Sequence, residues 1–345
     1  MVAMNRKIVV FTDVEDKQVL EVIREVAGDA ETIQLEKSFA YEFMWRGKHT
    51  PYRVGTPMCF ITEKTVEDAD VVFAVYSKRV PVLSLTTGGE TTNLLQTISS
   101  LGIECKQNTS ETWADAVRAF LPNNDSEGAV IVFEGGDGAG KATQTEYMRK
   151  RLDKEGKAHA SLDFPSDKHR YGKLIRKVLS GERGALHDLD PKLFSLLFSL
   201  NRFDTLPELR YWLTHGKKIL LDRYYTSNFG HQASKLEESE RSDFIRHLEQ
   251  LELEWLKLPP PDVALYLDFP PAAALVAMQR DEKRESLDIH ETAGLSYKEN
   301  VRQTYVWCCQ NQRNWVQIEC CNDEGERYSR EKVHEMIYNA VAKHI

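Results

Sequence analysis

The chain has 345 residues, a length that predicts about two domains at roughly 150 residues each and excludes a peptide or a stapled mini-protein. With 45 Lys and Arg against 53 Asp and Glu, the net charge of −8 excludes a broad attraction to nucleic acid polymers, so any phosphate must be held locally. A hydrophobic share of 41% that includes 14 Phe, 13 Tyr and 6 Trp excludes a disordered chain.

No run of about 18 apolar residues is present, so no membrane-spanning helix is expected. Ile8 to Phe11 is too short for the apolar region of a signal peptide, which predicts a cytoplasmic protein. The six cysteines, Cys59, Cys105, Cys308, Cys309, Cys320 and Cys321, lack the spacing of a secreted disulfide framework. Neighbours such as Cys308 and Cys309 point in different directions on a helix or strand, so packed thiols are expected rather than a zinc site.

In chain order, Ile8 to Phe11 reads as a buried strand. Val19, Leu20, Val22, Ile23 and Val26 then give a helical pattern that stops at Gly28. Further strands are expected at Thr32 to Leu35, Val71 to Tyr76 and Val82 to Leu85, with helices near Thr91 to Leu101 and Glu111 to Leu121. Lys37 to Lys64 fits no period. The alternation predicts a small Rossmann-like or flavodoxin-like α/β domain over residues 1–121. Thr86 to Glu90 follows a strand and precedes a helix, where backbone amides could hold a phosphate; a tight structural turn accounts for its two glycines more simply. Pro122 to Gly128 is polar and turn-forming and reads as a linker, leaving 129–345 as a second domain.

That second part opens with the apolar run Ala129 to Phe133 and Glu134, then Gly135-Gly136-Asp137-Gly138-Ala139-Gly140-Lys141, then a helical pattern ending at Gly156. Gly135 to Lys141 has the spacing G-x-x-x-x-G-K between a strand and a helix. Glycines there let backbone N–H groups approach a β-phosphate, and the lysine reaches the transferred phosphoryl oxygens. The hydroxyl that usually follows the lysine is missing, since the next residue is Ala142. Either Thr143 reaches the metal shell, or Mg²⁺ is held through water by carboxylates such as Asp222 and Asp137.

Lys217 to Leu221 is expected to be a strand whose carboxyl end lies beside this loop, which brings Asp222 and Arg223 to the reaction centre. Asp222 would hold Mg²⁺, and Arg223 would grip an acceptor phosphate with its planar fork. Phe198 and Arg202, four apart, share a helix face and could clamp a planar base, although Leu196, Leu197, Phe198 and Leu200 could equally form core or a dimer interface. Asp262 to Leu267 and Trp315 to Glu319 read as strands, and Val333, Met336, Ile337, Ala340 and Val341 as a final amphipathic helix.

Phe133 to Gln144 resembles the phosphate loop of thymidylate kinases. Three further motifs resemble that family in order: Phe164-Pro165, Leu197 to Arg202, and Leu221-Asp222-Arg223-Tyr224. The resemblance runs from about Ala129 to the C-terminus. It implies a P-loop α/β kinase with a parallel sheet and flanking helices, ATP and Mg²⁺ as cofactors, and dTMP as the acceptor. It further implies that Gly135 to Thr143 bind ATP, and that Asp137, Phe164, Pro165, Phe198, Arg202, Arg223, Ser227, Asn228, His231 and Gln232 bind dTMP.

Phe198 would stack on thymine, Arg202 would donate to its exocyclic oxygen, and Ser227 and Asn228 would hydrogen-bond the base. His231 departs from the Tyr or Phe with which family members test for a missing 2′-hydroxyl; it would contact the sugar or face solvent. With Gly138 where one branch of the family carries an arginine, the resemblance assigns the catalytic arginine to the lid, as Arg280 or Arg284, with Asp288 to Glu291 as a lid anchor. It also implies a homodimer through the Phe198 helix. The alternatives are a kinase for another pyrimidine nucleotide, or a catalytically weakened nucleotide-binding regulatory protein.

Overall fold

The computed structural model describes residues 9–12, 14–15, 17–27, 31–34, 58–62, 82–84, 117, 127–168, 170–182, 184, 189–271, 294–322 and 324–345. The expected elements at Val71 to Tyr76, Thr91 to Leu101 and, apart from Val117, Glu111 to Leu121 lie outside them. So do the Thr86 to Glu90 loop, Arg280, Arg284 and Asp288 to Glu291. Contacts divide the chain into two units. One holds the described residues up to Gly128 with Phe203–Lys217 and Lys257–Pro259; the other holds Ala129–Arg202, Lys218–Leu256 and Pro260–Ile345.

In the first unit, β1 (Val9–Thr12) is followed by α1 (Lys17–Ala27), β2 (Glu31–Gln34), β3 (Met58–Thr62) and β4 (Val82–Ser84). The strands pair in parallel in the order β2-β1-β3-β4. β3 falls inside the stretch the sequence leaves unassigned. Five residues are too few to show a period, and this strand is specified by its partners, with Val9 opposite Met58 and Phe60 opposite Val82. The unit also contains α5 (Leu206–Thr214), whose Leu206, Leu209 and Leu213 are buried.

The second unit is a five-stranded parallel sheet ordered β6-β7-β5-β8-β9. Its strands are β5 (Ala129–Gly135), β6 (His159–Asp163), β7 (Lys218–Asp222), β8 (Val263–Asp268) and β9 (Trp315–Glu319). Every residue of β5 and β8 is buried, which explains why both read as continuous apolar runs rather than as alternation.

On one face, α2 (Lys141–Lys154) and α9 (Arg330–Val341) pack Met148, Leu152, Val333, Ile337 and Val341 onto Ile131, Phe133, Leu220, Leu265 and Ile318. On the other, α8 (Leu295–Asn311) lays Val301 and Tyr305 against Tyr266. The remaining helices are α3 (Arg170–Leu179), α4 (Pro191–Asp204), α6 (Ser227–His231) and α7 (Glu238–Glu249), the last continued by a π-helical segment, Gln250–Trp255. Among the described residues no helix is long and apolar enough to cross a membrane.

Candidate active site

The central strand β5 ends at Gly135, whose φ is 150°; a Cβ there would stand 2.9 Å from the Leu267 carbonyl oxygen on β8, so the turn out of the sheet requires glycine. The chain then wraps into α2, entering through Gly140 in the left-handed region at φ 103°. Lys141, nearly buried, folds back and donates to the Gly135 and Gly136 carbonyls at 3.1 and 3.0 Å. Burial, then the Arg223 charge, hold its ammonium below the usual lysine value. The amide end of α2 and this ammonium together form an anion cradle. Ala142 is exposed and Thr143 half-buried at the same turn.

β7 brings up the second wall. Asp222 closes the strand one residue later than the sequence predicts, and Arg223 follows with φ 69°, its N–H bound to the Phe133 carbonyl at 3.0 Å. This uncommon conformation for a non-glycine residue turns the guanidinium back over the loop. There it pairs with Asp137 Oδ1 at 2.6 Å and also reaches the Gly135 carbonyl at 3.4 Å and His231 Nε2 at 3.1 Å. Burial alone would lower its pKa, but Asp137, the Tyr305 phenol, Asp222 and Glu134 together raise it. Lys141, Arg223, Asp137 and Asp222 therefore converge at the carboxyl end of β5 and β7, the place where open parallel sheets bind ligands.

Beneath them lies Glu134, fully buried at the end of β5. One of its oxygens accepts from Thr226 Oγ1 at 2.5 Å and the Tyr224 amide at 3.2 Å; the other accepts from Ser227 Oγ at 2.7 Å and Tyr305 Oη at 3.0 Å. Burial raises its pKa against the pull of these donors and of Arg223. The carboxylate thus braces the segment after Arg223 from below. The Ser227 hydroxyl, expected to face a base, is turned toward Glu134.

Phe164 is buried against Tyr224 at 5.8 Å between ring centroids, and its amide is bound to the Asp222 carbonyl at 3.0 Å. The cis Phe164-Pro165 segment is held by Asn201, whose amide group exchanges two bonds with the Ser166 backbone at 2.8 and 2.9 Å. Phe198 is half-buried and edge-on to Phe194 at 4.9 Å, among Ile175, Val178 and Leu179. Arg202 is buried and paired with Glu252 of the π-helical segment, to which Ser199 also donates at 2.6 Å. Asn228 and Gln232 are buried on and just after α6. Gln232 accepts from Lys235 at 2.9 Å, while Asn228 Nδ2 has no hydrogen-bond acceptor among the described residues.

A family model described as thymidylate kinase matches residues 133–337. The chain belongs to the thymidylate kinase family. Its relatives include a thymidylate kinase of Chlorobium luteolum, 33% identical over 184 residues that cover 51% of this chain and 82% of the relative. The thymidylate kinase of Homo sapiens is 29% identical over 216 residues, 61% of this chain and 88% of that one. A solved structure of the thymidylate kinase from Candida albicans is similar over 63% of this chain and 92% of that chain, with 22% identity and a TM-score of 0.48. Residues 1–132 lie outside the match to the thymidylate kinase model.

Four residues around this site were given no role from the sequence: Glu134, which lies inside the phosphate-loop motif, and Glu252, Tyr305 and Arg327. An acid ending an apolar strand beside a glycine-rich loop is the signal that could have marked Glu134. Arg327 lies over the Phe269 ring and donates to the Gly138 and Ala139 carbonyls at 3.2 and 3.0 Å, clamping the loop from the β9 side.

Proposed function

We infer that this member of the thymidylate kinase family transfers the γ-phosphate of ATP to dTMP, giving dTDP. The observation that carries this reading is the convergence of Lys141 and Arg223 at the mouth of a glycine loop, in a chain whose match to the family model includes all four motifs. An acceptor phosphate oxygen attacks the γ-phosphorus while the bond to the β–γ bridging oxygen breaks, so the chain must position two anions and offset their charge rather than supply a strong base. Lys141 and the loop amides hold the donor phosphates, with Gly135 to Thr143 as the ATP-binding segment. Arg223 grips the acceptor phosphate, exchanging its contact with Asp137 for one with dTMP. By family resemblance, Arg280 or Arg284 supplies a further charge.

Mg²⁺ suits a half-exposed carboxylate beside substrate phosphates, and Asp222 is such a group, with Asp137 and Thr143 nearby in the loop. When bound, the ion would neutralise charge on the transferred group. Arg202 presents a fixed donor edge to the base, its plane set by Glu252, and the unaccepted Asn228 amide supports a second base contact. Phe164, Pro165 and Phe198 supply the apolar wall, and His231 and Gln232 close the pocket beside it, while the Ser227 hydroxyl is committed to Glu134.

We place the small domain at residues 1–121, the linker at 122–128 and the kinase domain at 129–345, although the first contact unit also takes in Phe203–Lys217 and Lys257–Pro259. The strand order β2-β1-β3-β4 is the one with which flavodoxin-like sheets begin. Leu193, Leu196 and Leu200 are exposed along α4 and support a homodimer through that helix, which light scattering would test. The free thiols of Cys308, Cys309, Cys320 and Cys321 support a cytoplasmic location.

A coupled assay with ATP across dTMP, dUMP, UMP and CMP tests the reading. Turnover of dTMP is expected. Turnover of another monophosphate without dTMP would shift the acceptor, and nucleotide binding without turnover would favour a regulatory protein.

A further inference from the structure

We propose that His231 is a positioning residue for Arg223, holding its guanidinium over the phosphate loop as a neutral acceptor. The inference rests on the kinase reading above and assigns His231 a role other than the sugar contact that the resemblance implies.

A guanidinium carries only donors, so the 3.1 Å contact between Arg223 Nη1 and His231 Nε2 requires a lone pair on Nε2. The proton then belongs on Nδ1. That nitrogen faces Tyr297 Oη at 3.4 Å, and the Tyr297 proton is donated to the His231 carbonyl at 3.2 Å. One tautomer satisfies both contacts. The ring is further fixed edge-on to Tyr305 at 6.1 Å, whose hydroxyl is committed to Glu134.

Arg223 is thus held from three sides: Asp137 in the loop, the Gly135 carbonyl, and His231 on α6. Of these, Asp137 is an anion that an incoming phosphate displaces by substitution of charge. His231 is neutral and has no reason to leave, so it keeps the fork aimed when the carboxylate lets go. A Phe at this position has no acceptor to offer.

Among the described residues, the charged and titratable groups around this ring are Arg223 from β7, Asp137 in the loop, Tyr297 and Tyr305 from α8, and Glu134 behind Tyr305, with Lys141 and Asp222 acting on Arg223. A proton on His231 would remove the acceptor and set a second cation against Arg223.

The test compares wild type, His231→Gln and His231→Phe in steady-state transfer from ATP to dTMP, with thermal melts and ATP binding confirming folding. His231→Phe is expected to lower kcat about tenfold or more, with a smaller change in the KM for dTMP. His231→Gln, which restores an acceptor, should recover much of that loss. A wild-type kcat in His231→Phe, or no recovery in His231→Gln, would overturn the proposal. So would a change confined to the KM for dTMP or to the discrimination between dTMP and UMP. An inactive wild type would instead remove the kinase reading itself.

Discussion

Two arginine–carboxylate pairs in the second unit are chemically alike and physically opposite. Arg223 and Asp137, at the mouth of the phosphate loop, are each 20% exposed; Arg202 and Glu252, between α4 and the π-helical segment, are 1% and 0% exposed. At the mouth, water or a phosphate can take over whichever partner is released, so the pair can open and reform during turnover. In the interior, a released charge would be stranded at low dielectric, and the pair instead fixes the plane of its guanidinium. Exposure, rather than the residue types, separates a pair that solvent can help to open from one that it cannot reach.

The strongest way to break this contrast is Arg223→Ala. On the proposed mechanism Arg223 carries transition-state charge, and its loss is expected to lower kcat by about a thousandfold or more with ATP affinity largely intact. Loss of ATP binding in an equilibrium titration would mean that Arg223 belongs to the donor subsite.

Glu252→Ala probes the other half. Leaving Arg202 buried without its carboxylate should cost about 3–5 kcal/mol of stability. Asp137→Asn, at the open pair, should cost at most about 1 kcal/mol. Denaturant melts of the two variants read the difference directly; equal losses would erase the distinction drawn from burial. A smaller effect is expected from Asn228→Ala, which removes a buried amide with no acceptor among the described residues. If that amide meets the base, the KM for dTMP rises about tenfold with kcat little changed. An unaffected KM would return Asn228 to a packing role.

The open site was legible in the sequence because its parts are contiguous. Gly135 to Lys141 is a local backbone device, and Asp222 and Arg223 follow directly from an apolar strand, so spacing alone brings them together. The closed pair was half legible. The four-residue spacing of Phe198 and Arg202 gave their shared helix, but Glu252 lies fifty residues away in a π-helical segment that leaves no period to read. Phe198 shows the same limit, since helical spacing could not tell a ring facing a ligand from one packed on Phe194. β3 was missed because five residues define a strand only through the neighbours they pair with.

Glu134 sits between the two extremes, fully buried like Glu252 yet one residue before the phosphate loop, and its titration offers the finest test. Burial raises its carboxyl above 4.5 in the folded protein, although Thr226, Arg223, Ser227 and Tyr305 oppose the shift. The folded state therefore holds this proton more tightly than the unfolded chain does. Its contribution to stability is fully present below the unfolded value and is lost as the pH rises from there through the folded pKa. Glu134→Gln cannot titrate, so the stability of wild type minus that of Glu134→Gln should decline with rising pH across that window and then level off. Urea melts at a series of pH values check the sign. A difference that grew with pH instead would mean that the four donors outweigh desolvation, and that Glu134 favours its charged form as the open pair does.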